Sequence, residues 1–359
     1  MSRLLSAEQR AVFDGENRVE QERVRQRHAR GETVALVPWT DARARGARLV
    51  FDAKTSPAPR RLGAQYIVAQ DLGALVPFID WAPFFHAWEF RGTYPAILDD
   101  PRYGDKPREL LRDGQRLLER IVREKLLTAS AAYGLFAADR DGDDVVLFTG
   151  EDRSEVLARL PMLRQQEVRD GSAPLRSLAD FVPAPGDGAP GHVGLFAVTA
   201  GLGGESVVRA FEADHDDYHA ILFKALADRL AEAFTEMLHA RIRDEWGFSD
   251  GLAPAQLLAE EYRGIRPAPG YPACPDHTLK RTLFRVLDAT AQAGIVLTDS
   301  CAMAPAASVS GFVFAHPEST YFAVGRIGRD QVEDYAGRAG MTRTEAERWL
   351  GPSLAYDPE

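Results

Sequence analysis

The sequence predicts an α+β fold, and three observations carry the prediction. Residues 134–148, GLFAADRDGDDVVLF, read as two strands joined by an Asp-Gly turn at Asp141-Gly142, which is hairpin chemistry. The stretch from about Asp217 to Trp246 alternates apolar and charged faces without Pro or Gly, so it predicts one long helix. The other strands are short and scattered among helices, without the regular alternation of βαβ units.

Taken in order, Ser6 with Gln9 three positions later fits a capping box, and the mixed charges of EQERVRQRHAR (20–30) predict a solvated helix over 6–30. It would be a surface element or an approach segment from a preceding module, which divides the chain into 1–30 and a single domain over 31–359. Val34 to Pro59 mixes Pro, Gly and charge and should wrap the body as an extended arm. Gln65 to Ala69 alternates as a strand, and in DLGALVPFIDWAPFFHAWEF (71–90) the aromatics after Asp80 suggest a helix in a deeply buried place. Residues 108–126 space Leu110, Leu111, Leu117, Leu118, Ile121 and Val122 for one helix face. A strand at Val193–Thr199 runs to GLGG (201–204). After the long helix come a proline-rich loop (266–275), a helix (277–293), strands near 296, 308–314 and 321–327, and helices from 329 to 350.

Composition removes several classes of function. The chain has 359 residues, 45% of them hydrophobic, enough for a large core. Its 43 basic against 53 acidic residues give a net charge of -10, the wrong sign for a nucleic-acid binder. Two cysteines, Cys274 and Cys301, build no disulfide framework, which favours a reducing, cytoplasmic compartment. No window approaches the roughly 20 apolar residues of a spanning helix, so no membrane partner is expected.

Several motifs invite chemistry and lose on inspection. GLGG lacks the third glycine of a dinucleotide loop and reads better as a turn into a helix. His215 and His219 lie four apart on an expected helix beside Asp214, Asp216 and Asp217, but without a third ligand no metal is expected. Cys274, within ACPDH, reads as a packed small residue rather than a nucleophile beside His277. Arg266 differs, because its loop has prolines that restrict the chain and Gly270 that permits a turn or close approach. A guanidinium held that way suits a carboxylate.

RPAPGYPACPDH (266–277) resembles, almost letter for letter, the signature loop of the activation module of cobalamin-dependent methionine synthase. VPFIDWAPFF (76–85), AFEADHDDYHAILFKALADRLAEAF (210–234), SVSGFVFAHPESTYFAV (308–324), RDQVEDYA (329–336) and ERWL (347–350) fall in the same order. The likeness loosens before about residue 60 and between about 151 and 190. It implies a single curved domain with a mainly antiparallel sheet and long helices, and a shallow groove for S-adenosylmethionine. It further implies a reactivation module without the substrate-binding and cobalamin-binding modules. Such a module presents the methyl group for reductive methylation of cob(II)alamin on a partner cobalamin-binding module, with an electron from flavodoxin or an equivalent reductase. It would be a methyltransferase component with no catalytic residues of its own, inactive alone.

By the same resemblance Asp80, Arg266, Tyr321 and Phe322 should line the ligand site, with Glu260, Ala268 and Tyr271 close by. Phe322 stands where the family usually has a second tyrosine. The chemistry agrees: Arg266 can take the ligand carboxylate, Asp80 the ammonium, and Tyr271 or Tyr321 can pack near adenine or face the sulfonium. Asp228, Glu232 and Glu236 recur every four residues as an acidic stripe, and the resemblance makes Asp228 and Glu232 candidates for docking the cobalamin module. The competing expectation is a stand-alone S-adenosylmethionine sensor or carrier. A self-contained methyltransferase is disfavoured by the absence of a glycine-rich strand-loop-helix near the start.

Overall fold

The computed structural model describes residues 35–100, 104–168 and 173–358, so the charged helix expected over 6–30 lies outside the described residues. The arm is present. It holds one short helix, α1 (Trp39–Ala44), in otherwise irregular chain, and hydrogen bonds tie it across the body. Val37 N–H donates to the Gln166 carbonyl at 3.1 Å and Arg60 N–H to that of Glu245 at 2.9 Å. The Trp246 indole N–H donates to the Pro57 carbonyl at 3.0 Å.

After β1 (Gly63–Gln70) the aromatic stretch forms a helix after Asp80, as expected, but a short one. Residues 73–78 form a 3-10 turn containing Pro77, Ile79 is extended, and α2 (Ala82–Ala87) is a short helix with Pro83 in its first turn. Pro77 and Pro83, with fixed φ and no N–H, keep the turn and the helix as separate short pieces. Phe84 and Phe85 are buried, but Asp80 is exposed, and its Oδ1 accepts the Ala82 N–H at 2.9 Å.

α3 (Asp105–Glu124) buries the predicted leucines and Ile121 and stops at Lys125, which is left-handed at φ 53. β2 (Thr128–Asp141) and β3 (Asp144–Phe148) make the hairpin, with Asp141 opposite Asp144 and Gly142 at φ 64. β4 (Val156–Pro161) and β5 (His192–Leu202) follow. Gly203 turns the chain at φ 84 into α4 (Gly204–Ala213), as GLGG suggested. α5 (Asp217–Trp246) starts at Asp216, whose side chain accepts the His219 N–H, and ends at Gly247 with φ 95.

The C-terminal part contains α6 (Pro254–Leu258), then α7 (Leu279–Leu287) and α8 (Ala289–Ala293) in place of one helix, broken at left-handed Asp288. β6 (Val296–Leu297) and β7 (Met303–Ala304) pair with each other, and β8 (Ser308–Val313) joins the main sheet. α9 (Arg329–Ala339) and α10 (Arg343–Leu350) close the chain. Residues 321–327 do not form the strand expected. Their backbone groups bond to loops instead: Val324 N–H to the Pro272 carbonyl at 2.8 Å, and Arg326 N–H to Glu167 at 2.7 Å.

The main sheet is antiparallel in the order β4-β3-β2-β5-β8, with β1 also paired to β2. β2 is the spine: its first part pairs β1 and β5, and Ala138–Asp141 pair β3. Alternation along it serves two cores. Ala129, Ala131, Tyr133 and Leu135 meet α3 and α5, whereas Ala132, Phe136 and Ala138 meet α7 and α8 on the other face. A third cluster under α9 and α10 includes Val324, Val332 and Leu350. α5 buries Leu222, Phe223, Leu226, Leu230, Phe234 and Leu238. Each such side chain contributes about 1.5–3 kcal/mol, so α5 is a fixed wall for the site beside it.

Candidate functional site

The proline-rich loop lies on the sheet between α5 and residues 321–322. Phe312 N–H in β8 donates to the Pro267 carbonyl at 2.9 Å, and a Cβ on Gly311 would sit 2.7 Å from that carbonyl, so glycine permits the close approach. The loop closes on itself through Gly270 N–H to the Cys274 carbonyl at 2.7 Å and Cys274 N–H to the Tyr271 carbonyl at 2.8 Å. Between these elements is an open groove of 460 Å³. Glu232 and Thr235 of α5, Phe196 and Val309 of the sheet, Arg266, Ala268 and Tyr271 of the loop, and Tyr321 and Phe322 all line it. Tyr271 is 64% exposed and Tyr321 45%, so two aromatic rings are left uncovered where a flat apolar group could pack. The Phe322 ring is backed edge-on by Phe181 at 6.4 Å.

Arg266 is held from behind. Its Nη2 donates to Glu236 Oε2 at 2.6 Å and Nη1 to Oε1 at 3.3 Å. Nη1 also donates to the Tyr262 hydroxyl and lies 3.2 Å from His239 Nδ1. Burial works most strongly against the Arg266 charge, but Glu236, Tyr262, Tyr321 and Glu260 together outweigh it and raise the pKa. Burial pushes the Glu236 carboxyl up while Arg266 pulls it down, leaving it raised, and burial holds His239 well below the usual histidine range. We take the pair as ionised, because both oxygens face both terminal nitrogens in fork geometry. On the groove side, the Arg266 backbone N–H donates to the Tyr321 hydroxyl at 3.1 Å.

The structure thus brings Arg266, Ala268, Tyr271, Tyr321, Phe322 and Glu232 together and leaves others apart. Asp80 is not among the groove-lining residues, and its exposure removes the dry surroundings that the aromatics were expected to give it. Glu260 does not line the groove either, although its charge acts on Arg266 and Tyr321. Asp228 lines a different hollow of 600 Å³ between α4, α5 and residues 303–307, where burial raises its carboxyl. The acidic stripe is therefore not one solvated face, since Glu236 is buried against Arg266. His215 precedes α5 in a left-handed turn, so it does not share a helix face with His219, which bonds Asp216 at 2.7 Å. No group of three or more potential metal ligands occurs among the described residues. Cys274 is buried, and burial pushes its thiol up.

A hollow of 640 Å³, larger than the groove, lies elsewhere, beneath the arm. Its Arg140, Arg164, Asp143, Asp180 and Asp187 already pair with one another, so volume alone does not mark the site.

Comparison with known proteins decides the family. Residues 71–340 match the model of the vitamin B12 dependent methionine synthase activation domain. The chain belongs to that family. A solved structure described as the MetH reactivation domain bound to AdoHcy is 46% identical, with a TM-score of 0.86. The match covers 90% of this chain and 99% of that one. This is a reactivation domain of the vitamin B12-dependent methionine synthases, in the mixed helix and antiparallel-sheet fold of its relative. No helix among the described residues is long and apolar enough to cross a membrane.

Sequence reasoning missed Thr235, Glu236, His239 and Tyr262 as parts of this site. A signal existed: positions 232, 235, 236 and 239 share one face of a helix, and Tyr262 precedes Arg266 by four residues.

Proposed function

We propose that the groove binds S-adenosylmethionine and presents its methyl group for reductive methylation of cob(II)alamin on a cobalamin-binding module of methionine synthase. The observation that carries this is the pairing of a fixed guanidinium, Arg266, with two uncovered phenol rings, Tyr271 and Tyr321, in one open groove. A relative of the same fold is described with AdoHcy, the demethylated product, bound to it.

The methyl donor carries a carboxylate, an ammonium, a sulfonium and an adenine. Arg266 suits the carboxylate, and a ring face attracts a sulfonium by about 0.5–2 kcal/mol. Glu232 in the wall and Glu260 nearby add negative charge for the cationic part of the ligand. Phe322 offers ring and backbone but no hydroxyl. The assignment of Asp80 to the ammonium rests on the family motif alone. None of these groups acts as acid or base; they bind, orient and exclude water.

The groove residues would hold the methyl donor toward the partner module's cobalamin, which, after reduction by one electron from flavodoxin or an equivalent reductase, would supply the electron pair that takes the methyl group, with S-adenosylhomocysteine as the leaving group. Asp228 and Glu232 are the residues assigned to docking that module. The test is reconstitution of the full chain with a cob(II)alamin module and a reductant, following methylcobalamin by absorbance. Methylation should require all components, and Asp228→Asn should slow it at limiting module. Tight S-adenosylmethionine binding without methylation would contradict the proposal and favour a sensor or carrier.

A further inference from the structure

An arginine has five N–H donors in a planar fork, and the contacts of Arg266 occupy one end of it. Glu236 spans Nη1 and Nη2 end-on, at 3.3 and 2.6 Å. The remaining acceptors, Tyr262 Oη and His239 Nδ1, gather on Nη1. Nε and the second Nη2 hydrogen, which lie on one edge of the plane, take part in none of these contacts. That edge is the other geometry in which a guanidinium holds a carboxylate with two parallel bonds.

The clamp itself is rigid. Glu236 and His239 are 4% and 2% exposed, so neither can swing into solvent. The Tyr262 ring stands edge-on to His239 with centroids 4.8 Å apart, and Arg243 Cζ lies 4.5 Å over its face. Because His239 accepts through Nδ1, its proton sits on Nε2, which is buried with no hydrogen-bond partner. A buried donor left unpaired requires a reason. Holding Nδ1 toward Arg266 supplies one.

Resting on the reading of the groove as the S-adenosylmethionine site, we infer that Glu236, His239 and Tyr262 are positioning residues. They clamp the Nη1 end of Arg266 and leave its Nε–Nη2 edge to take the ligand carboxylate side-on. They act through Arg266, not by touching the ligand.

The test uses the full chain and two ligands, S-adenosylmethionine and its decarboxylated form, which keeps the ammonium, sulfonium and adenine but has no carboxylate. Glu236→Gln keeps the side-chain shape and removes the charge that fixes the fork. Its affinity for S-adenosylmethionine should fall about 10- to 100-fold, while that for the decarboxylated ligand stays at the wild-type value. Tyr262→Phe removes one hydroxyl from a half-buried residue and should shift the same ligand selectively, by less. It keeps the test open should Glu236→Gln not fold. Equal losses for both ligands would mean a general structural role and overturn the inference, as would unchanged S-adenosylmethionine binding. Wild-type protein that binds neither ligand would instead defeat the reading of the groove itself.

Discussion

Substituting Gly270 by alanine meets two separate costs. The residue sits at φ 96, where an L side chain costs about 1–2 kcal/mol against its own backbone. The added Cβ would also lie 2.0 Å from His277 Cε1 and 2.5 Å from Nδ1. The imidazole is not a loose end: Lys280 Nζ donates to Nδ1 at 3.0 Å, and that buried amine also bonds the Cys301 carbonyl at 3.2 Å. Displacing the ring is overpacking, worth about 1–3 kcal/mol. Gly270→Ala should therefore destabilise by about 2–5 kcal/mol, a large share of the 5–15 kcal/mol typical of a whole domain. The measurement is urea unfolding with linear extrapolation on Gly270→Ala, His277→Ala and the double variant. Removing the imidazole should abolish the steric part alone, giving an interaction energy of about 1–3 kcal/mol in the cycle. A Gly270→Ala protein within about 0.5 kcal/mol of wild type, or strictly additive variants, would refute the packing of the loop against His277.

Arg164 lies between Asp143 at 2.5 Å and Asp180 at 2.7 Å, all three buried, so Arg164→Met strands the Asp143 carboxylate, leaves Asp180 only Arg140 at 3.6 Å, and should cost about 3–5 kcal/mol by urea unfolding. A change below about 1 kcal/mol would contradict that network. Arg263 donates to the Ala315 carbonyl at 2.6 Å and the Thr55 carbonyl at 2.7 Å and lines no part of the groove. Arg263→Ala should lower stability by about 1–3 kcal/mol and leave calorimetric S-adenosylmethionine affinity unchanged. Burial lowers the pKa of both His192 and His239, so the unfolded chain binds more protons than the folded one below the ordinary histidine pKa of about 6.5. Stability should therefore fall as pH drops from 7 to 5.5, by at most about 1.4 kcal/mol per pH unit for each histidine. The raised Glu236 carboxyl acts with the opposite sign in the carboxylate range. His239→Asn should flatten the slope, and a slope unchanged by that variant would refute its buried neutral state.

What the sequence made legible was what its own punctuation marks. Asp216 and Gly247 bracket α5, and Asp141-Gly142 turns the β2–β3 hairpin, so those boundaries emerged from short-range chemistry. β2 starts earlier than expected because its first half, TASAAYG, is too small in side chains to alternate visibly. Aromatic density around Asp80 correctly marked buried rings at Phe84 and Phe85, but it says nothing about which way the acid points. The loop from Arg266 was legible through its motif, whereas Glu236 was not. Acids four apart on a helix look alike whether solvated or paired, and the partner that decides is 30 residues away.

The central contact is that of Arg266 with the carboxylate of a ligand in the groove. Calorimetric titration of S-adenosylmethionine into the full chain and into Arg266→Ala measures that contact directly. One site per chain is expected, weakened in the variant by about 1.5–3 kcal/mol, the worth of a charge-assisted contact. Equal affinity for the two proteins, or no binding to wild type, would contradict it.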